Sequence, residues 1–168
     1  MEIRDAVAED APYACLVQRR SITELCVADH NNDPAILTKW LSHKIPEVFL
    51  SWITEPANSV LVAVEDSSIV AVGSVTDAGE ITLNYVLPDA RFRGVSRALL
   101  KALEVRASER GNTQCTLTST NTAQRFYETN GYIKDGFQSS EFGMSSSHPM
   151  SKILALQKFD FCSGATVD

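Results

Sequence analysis

The residues best placed to do chemistry lie in one run, Asn84 to Arg97, which reads Asn-Tyr-Val-Leu-Pro-Asp-Ala-Arg-Phe-Arg-Gly-Val-Ser-Arg. An apolar strand passes there through an arginine-rich glycine turn directly into a helix, and the chemistry this suits is phosphate binding. Amides in the turn and in the first helical turn have no intrahelical partner, and the helix dipole adds roughly half a positive charge at that end. Gly94 lets the backbone approach a ligand closely, while Arg91, Arg93 and Arg97 supply full charges. The same spacing also fits an ordinary strand-turn-helix junction with solvated arginines.

Other chemistries find less support. His30, His43 and His148 show no ligand spacing, and no carboxylate cluster suggests a site for a metal, so no metal is expected. Cys15, Cys26, Cys115 and Cys162 are far apart and form no Cys-x-x-Cys; they read as reduced thiols. Neither Gly-x-x-x-x-Gly-Lys-Ser/Thr nor Gly-x-Gly-x-x-Gly occurs, which argues against the common nucleotide-binding folds. A net charge of -6 disfavours nucleic acid as a partner, because a phosphate backbone needs broad basic patches. The apolar runs fall short of the ~20 residues that span a bilayer, and Met-Glu-Ile-Arg-Asp lacks the layout of a secretory signal. The expectation is a cytoplasmic protein with no membrane segment.

A chain of 168 residues is the size of one domain. Residues 1–162 are assigned to it, and 163–168 to a frayed tail. Glu2 to Val7 suits a first strand, and Asp10-Ala11-Pro12 opens a helix to about Val27. Asp33-Pro34 opens a second, with Ile36, Leu37, Trp40 and Leu41 on one stripe, whereas Pro46 interrupts the amphipathic segment Lys44 to Trp52. Val60 to Val64, Ile69 to Val75 and Glu80 to Val86 are β-rich runs separated by turn residues, hence three antiparallel strands in sequence order. A helix from Gly94 to Arg110 carries Val95, Leu99, Leu103 and Ala107 on one face. Strand Thr113 to Ser119, helix Thr122 to Thr129, a strand from Tyr132 to Phe137, a loop from Gln138 to His148 and a last strand from Ser151 to Phe161 complete the chain. That last strand and loop offer a surface for a homodimer.

Motif and element order together resemble the GCN5-related N-acetyltransferase (GNAT) superfamily over nearly the whole chain. Arg91-Phe92-Arg93-Gly94-Val95-Ser96 is similar to the signature Arg/Gln-x-x-Gly-x-Gly/Ala, following Val86-Leu87-Pro88. Ala123 to Tyr132, with Phe126-Tyr127 and Gly131 inside it, is similar to Ala-x-x-Phe-Tyr-x-x-x-Gly-Tyr/Phe. The resemblance implies an α/β fold of GNAT type, a mixed, mostly antiparallel central sheet with flanking helices in the order β-α-α-β-β-β-α-β-α-β-β. Ser96 departs from the signature and either crowds the phosphate or adds a hydroxyl donor. Thr120 stands where an Asn often sits, with Asn121 one place later, which leaves the usual side-chain contact to the cofactor open.

The resemblance implies acetyl-CoA as co-substrate and an amine of a small molecule, amino acid or peptide as acceptor, with direct transfer in a ternary complex. The pyrophosphate would lie on the amides of Arg93 to Arg97, Asn121 and Ala123 would contribute nearby, and the pantetheine arm would pair with Tyr85, Val86 and Leu87 as a pseudo-strand. The strands Glu80 to Leu87 and Thr113 to Ser119 would splay to admit it. Glu80 stands at the offset of a general base, and alternation would put it on one face with Thr82, Asn84 and Val86. It reads equally as a solvated residue leaving a turn. Tyr127 stands where the family returns a proton to the departing sulfur, with Phe126 facing the core; the two also read as an aromatic packing pair. The amide of Val86 would stabilise the oxyanion. Trp40, Phe49, Trp52 and Tyr13 lie in the region that shapes the acceptor pocket in this family and suit a core equally. The competing reading is a non-catalytic acyl-CoA-binding or sensing module of the same fold.

Overall fold

The computed structural model describes residues 1–136 and 147–155. Within them lie seven strands, β1 (Glu2–Asp5), β2 (Asn58–Glu65), β3 (Ser68–Thr76), β4 (Glu80–Val86), β5 (Gln114–Ser119), β6 (Ile133–Lys134) and β7 (His148–Ile153). They form one sheet in the order β1-β2-β3-β4-β5-β7-β6, antiparallel throughout except between β4 and β5. The helices are α1 (Ala11–Leu25), α2 (Val27–His30), α3 (Pro34–Leu41), α4 (Pro46–Thr54), α5 (Val95–Glu109) and α6 (Gln124–Thr129).

Local chemistry accounts for most of these elements. Asp66 and Ser67 both take positive φ between the paired Glu65 and Ser68, which is how a two-residue loop matches the twist of a β2–β3 hairpin. Asp33 accepts hydrogen bonds from the amides of Ala35 and Ile36 and so starts α3. Pro46 initiates α4 rather than interrupting it, because the first helical position needs no amide donor. The first helix ends at Leu25, two residues before expected, where Cys26 leaves helical geometry and a separate turn, α2, follows. β7 begins at His148, earlier than expected; residues 137–146 and 156–168, including most of the loop, the remainder of the last strand and the tail, lie outside the described residues.

The sheet has a layer on each face. On one, α5 buries Val95, Leu99, Leu100, Leu103 and Ala107 against β2 to β5. On the other, α1 and α4 pack Ala14, Val17 and Phe49 on Val60, Val62, Val72 and Leu83. Gly73 in β3 lets α5 seat against the strand itself, since a Cβ there would lie 2.8 Å from Leu103 Cδ1 and 3.2 Å from Leu99 Cδ2.

Two irregularities distinguish β4 from its neighbours. Ser74 pairs with Leu83 while Val75 pairs with Ile81, so Thr82 has no opposite number and forms a bulge. Ile81 therefore packs in the α5 layer and Leu83 in the α1–α4 layer, although strict alternation would put them on one face. The expected grouping of Glu80 with Thr82, Asn84 and Val86 fails for the same reason. In addition, β4 pairs with β5 only through Glu80 with Thr116 and Ile81 with Leu117, after which the strands part as expected.

Substituting Gly73→Val should cost roughly 1–3 kcal/mol by forcing α5 off β3. Thermal denaturation checks this; an unchanged Tm would mean the helix seat tolerates the extra volume.

Candidate active site

Beyond Ile81 the β5-facing edge of β4 is unpaired, and a cavity of about 400 Å³ lies against it, between the strand and the N-terminus of α5. The Leu87 amide donates to Val70 O at 2.8 Å, on the β3 side. Strand alternation consequently turns the amide of Val86 to the open edge. At the other wall, Gly94 takes φ +81°, and a Cβ there would meet nothing within 4 Å, so conformation rather than crowding favours glycine. The first main-chain bond of α5 runs from Ala98 N–H to Gly94 O at 3.0 Å, leaving the amides of Val95, Ser96 and Arg97 without intrahelical partners. All three residues line the cavity.

The three arginines of the turn have different surroundings. Arg93 pairs with Glu65 at 2.8 Å and does not line the cavity, and Leu87 is likewise outside its lining. Arg97 Nε donates to Asn130 Oδ1 at 3.2 Å. Arg91 stacks its guanidinium 4.6 Å from the ring centroid of Phe92.

Tyr127 closes the inner end of the cavity. It is buried, with edge-to-face contacts to Phe126 at 5.2 Å and Tyr132 at 5.6 Å between ring centroids. Burial pushes its phenol up to about 12, opposed in part by a hydrogen bond with Asn84. Asn84 Oδ1 is buried with no hydrogen-bond partner among the described residues, an orphaned acceptor beside the unpaired strand edge. Phe126, expected to face the core, is only half-buried and lines the cavity, because α6 turns Tyr127 inward toward Tyr132 instead.

A second cavity, of about 540 Å³, opens on the α1–α4 side. Trp40 and Trp52 line it, whereas Phe49 is wholly in the core and Tyr13 is exposed. Glu80 lines it as well, since the bulge at Thr82 rotates the start of β4, and its carboxylate makes no ion pair among the described residues. Ile81, Thr82, Leu83 and Tyr85, with Thr118 to Thr120, are common to both cavities. The two thus adjoin at the gap between β4 and β5.

A family model described as "Acetyltransferase (GNAT) domain" matches residues 20–154, spanning the strand split, the glycine turn and Tyr127. The chain belongs to the GNAT acetyltransferase family. That family uses acetyl-CoA. Among solved structures, a GCN5-related N-acetyltransferase from Rhodopseudomonas palustris is 24% identical over 91% of this chain and 95% of that one, with a TM-score of 0.81. The PaiA N-acetyltransferase from Thermoplasma acidophilum, solved in complex with coenzyme A, is 20% identical over 91% and 98%, TM-score 0.79. A ribosomal-protein-alanine N-acetyltransferase from Brucella melitensis is 22% identical over 92% and 100%, TM-score 0.68. These likenesses concern the fold. A search of curated proteins by sequence finds no significant match. Among the described residues of this GNAT domain, no helix is long and apolar enough to cross a membrane.

Three features of the GNAT site were not foreseen in the sequence. Asp29 of α2 is fully buried and accepts from Asn121 N at 2.7 Å, Thr122 N at 3.1 Å and Thr122 Oγ1 at 2.5 Å, tying α2 to the approach to α6. Next to it, His30 accepts from Asn32 N–H at Nδ1, which leaves Nε2 to donate to Ile22 O at 3.0 Å. Second, Asn121 is absent from the cavity lining, in contrast to Thr120, Thr122 and Ala123. Its amide is held by Asp29 and its Oδ1 lies 2.8 Å from His148 Nε2, which turns the carboxamide away from the expected cofactor contact. Third, Cys26 lines the first cavity although no motif contains it, and burial pushes its thiol up to about 12, so it is a poor nucleophile.

Replacing the buried Asp29 by Ala leaves three partly buried donors without their acceptor and should destabilise the domain by roughly 2–3 kcal/mol. Urea unfolding measures this; a loss below about 1 kcal/mol would show that the tie is dispensable.

Proposed function

We propose that this GNAT domain transfers an acetyl group from acetyl-CoA to a primary amine of a small molecule, amino acid or peptide, with both substrates bound at once. The main support is the meeting of two cavities at the β4–β5 gap, one against the amides of α5 and one lined by Trp40, Trp52 and Glu80. A module that only senses acyl-CoA needs the first cavity alone.

Acetyl-CoA, when bound, supplies an activated acyl thioester. The amides of Val95 to Arg97 are suited to its pyrophosphate, and the orphaned Asn84 Oδ1 can accept from an amide of its pantetheine arm. The Val86 amide, turned to the gap, is a donor for the acyl oxygen as it gains charge. Tyr127, held protonated by burial, is the group that can give up a proton to sulfur. An alkylamine has a pKa of about 10.4 and arrives charged, so it must lose a proton before it attacks. Glu80, a carboxylate on the second cavity with no ion pair among the described residues, is assigned as that base, directly or through water.

Tyr127→Phe should lower turnover about a hundredfold while the Kd for CoA stays within about twofold; unchanged turnover would remove Tyr127 from the chemistry. Glu80→Gln should lower turnover about tenfold at neutral pH, and the deficit should shrink as pH approaches the pKa of the amine, where the acceptor needs no base. A deficit independent of pH would remove Glu80 from the role of base.

A further inference from the structure

Phe92 has no structural reason to be phenylalanine. The residue is 92% exposed, so it contributes nothing to the core, and its φ of +60° is a conformation that bulky side chains rarely adopt. Strain of this sort persists where the surroundings impose it and often marks a ligand site. Phe92 lines the first cavity, two residues before Gly94 and the free amides of α5. One neighbour is Arg91, whose guanidinium lies 4.6 Å from the ring centroid; most of the ring is open to solvent. Arg93 and Arg97 bond to Glu65 and Asn130, whereas Arg91 has no acceptor partner among the described residues. An open aromatic face and an unneutralised cation thus stand together at the mouth of a phosphate cradle.

We propose that Phe92 and Arg91 form a subsite for the nucleotide end of coenzyme A, with the purine stacked on Phe92 and the ribose 3′-phosphate on Arg91. This rests on the proposed occupation of the first cavity by CoA. With the pantetheine arm directed inward along β4 and the pyrophosphate at the start of α5, the 3′-phosphoadenosine must leave through the mouth. A purine has a π-face of its own to lay on an aromatic ring, and the adjacent guanidinium adds a charge-assisted contact to phosphate. The subsite reads the carrier rather than the acyl group: it favours CoA over an acyl phosphopantetheine that lacks the nucleotide.

The test is calorimetric titration of CoA, dephospho-CoA and 4′-phosphopantetheine into the full chain, with thermal melts alongside. Phe92→Gly should weaken CoA and dephospho-CoA about tenfold and phosphopantetheine less than twofold, while Tm holds or rises because glycine accepts the positive φ. Phe92→Tyr should restore the affinity. Arg91→Gln should weaken CoA about tenfold yet leave dephospho-CoA within twofold. The subsite is overturned if Phe92→Gly leaves CoA affinity unchanged, or weakens all three ligands alike. It is also overturned if the unaltered protein binds CoA and phosphopantetheine equally well. Failure of the unaltered protein to bind CoA at all would instead overturn the proposed function.

Discussion

The structure turns on the early end of one strand pairing. β4 is hydrogen-bonded to β3 along most of its length, but its parallel pairing with β5 stops after Ile81. A strand edge inside a sheet carries donors and acceptors whose burial without partners costs free energy, so such an edge persists only where water or a ligand can reach it. Both cavities exist because of it: they are the two sides of the gap, and the residues they share are those at which the strands separate. Asn84 Oδ1, orphaned beside the gap, belongs to the same unsatisfied edge.

Other parts of the molecule hold the gap open. β5 is paired over its whole length with β7 and cannot swing back toward β4 without breaking that ladder. The segment after β5 is fixed from the opposite layer by Asp29, which takes the amides of Asn121 and Thr122. The bulge at Thr82 completes the arrangement. It rotates β4 between the paired and unpaired halves, so that Glu80 looks into one cavity while Asn84 and Val86 face the layer of α5 and Tyr127. A buried phenol and a carboxylate therefore stand on opposite sides of a single opening.

Much of this was legible in the sequence, for a local reason. The stripe of α5, the consecutive hairpins, the Asp-Pro start of α3 and the glycine turn rest on interactions between residues a few positions apart, and side-chain periodicity and turn chemistry report those directly. The chain determined on its own that an arginine-rich glycine turn follows an apolar strand, that an aromatic pair lies in a later helix, and that the elements come in the GNAT order. What only the tertiary structure decided depends on partners remote along the chain. Asp29 is an unremarkable acidic residue in a short helix until its carboxylate meets amides more than ninety positions away. Cys26 joins the cavity, and Asn121 leaves it, through the same docking of α2. The bulge that turns Glu80 into the second cavity arises from the register between two strands, and register is a property of the pair, which neither strand's own alternation encodes.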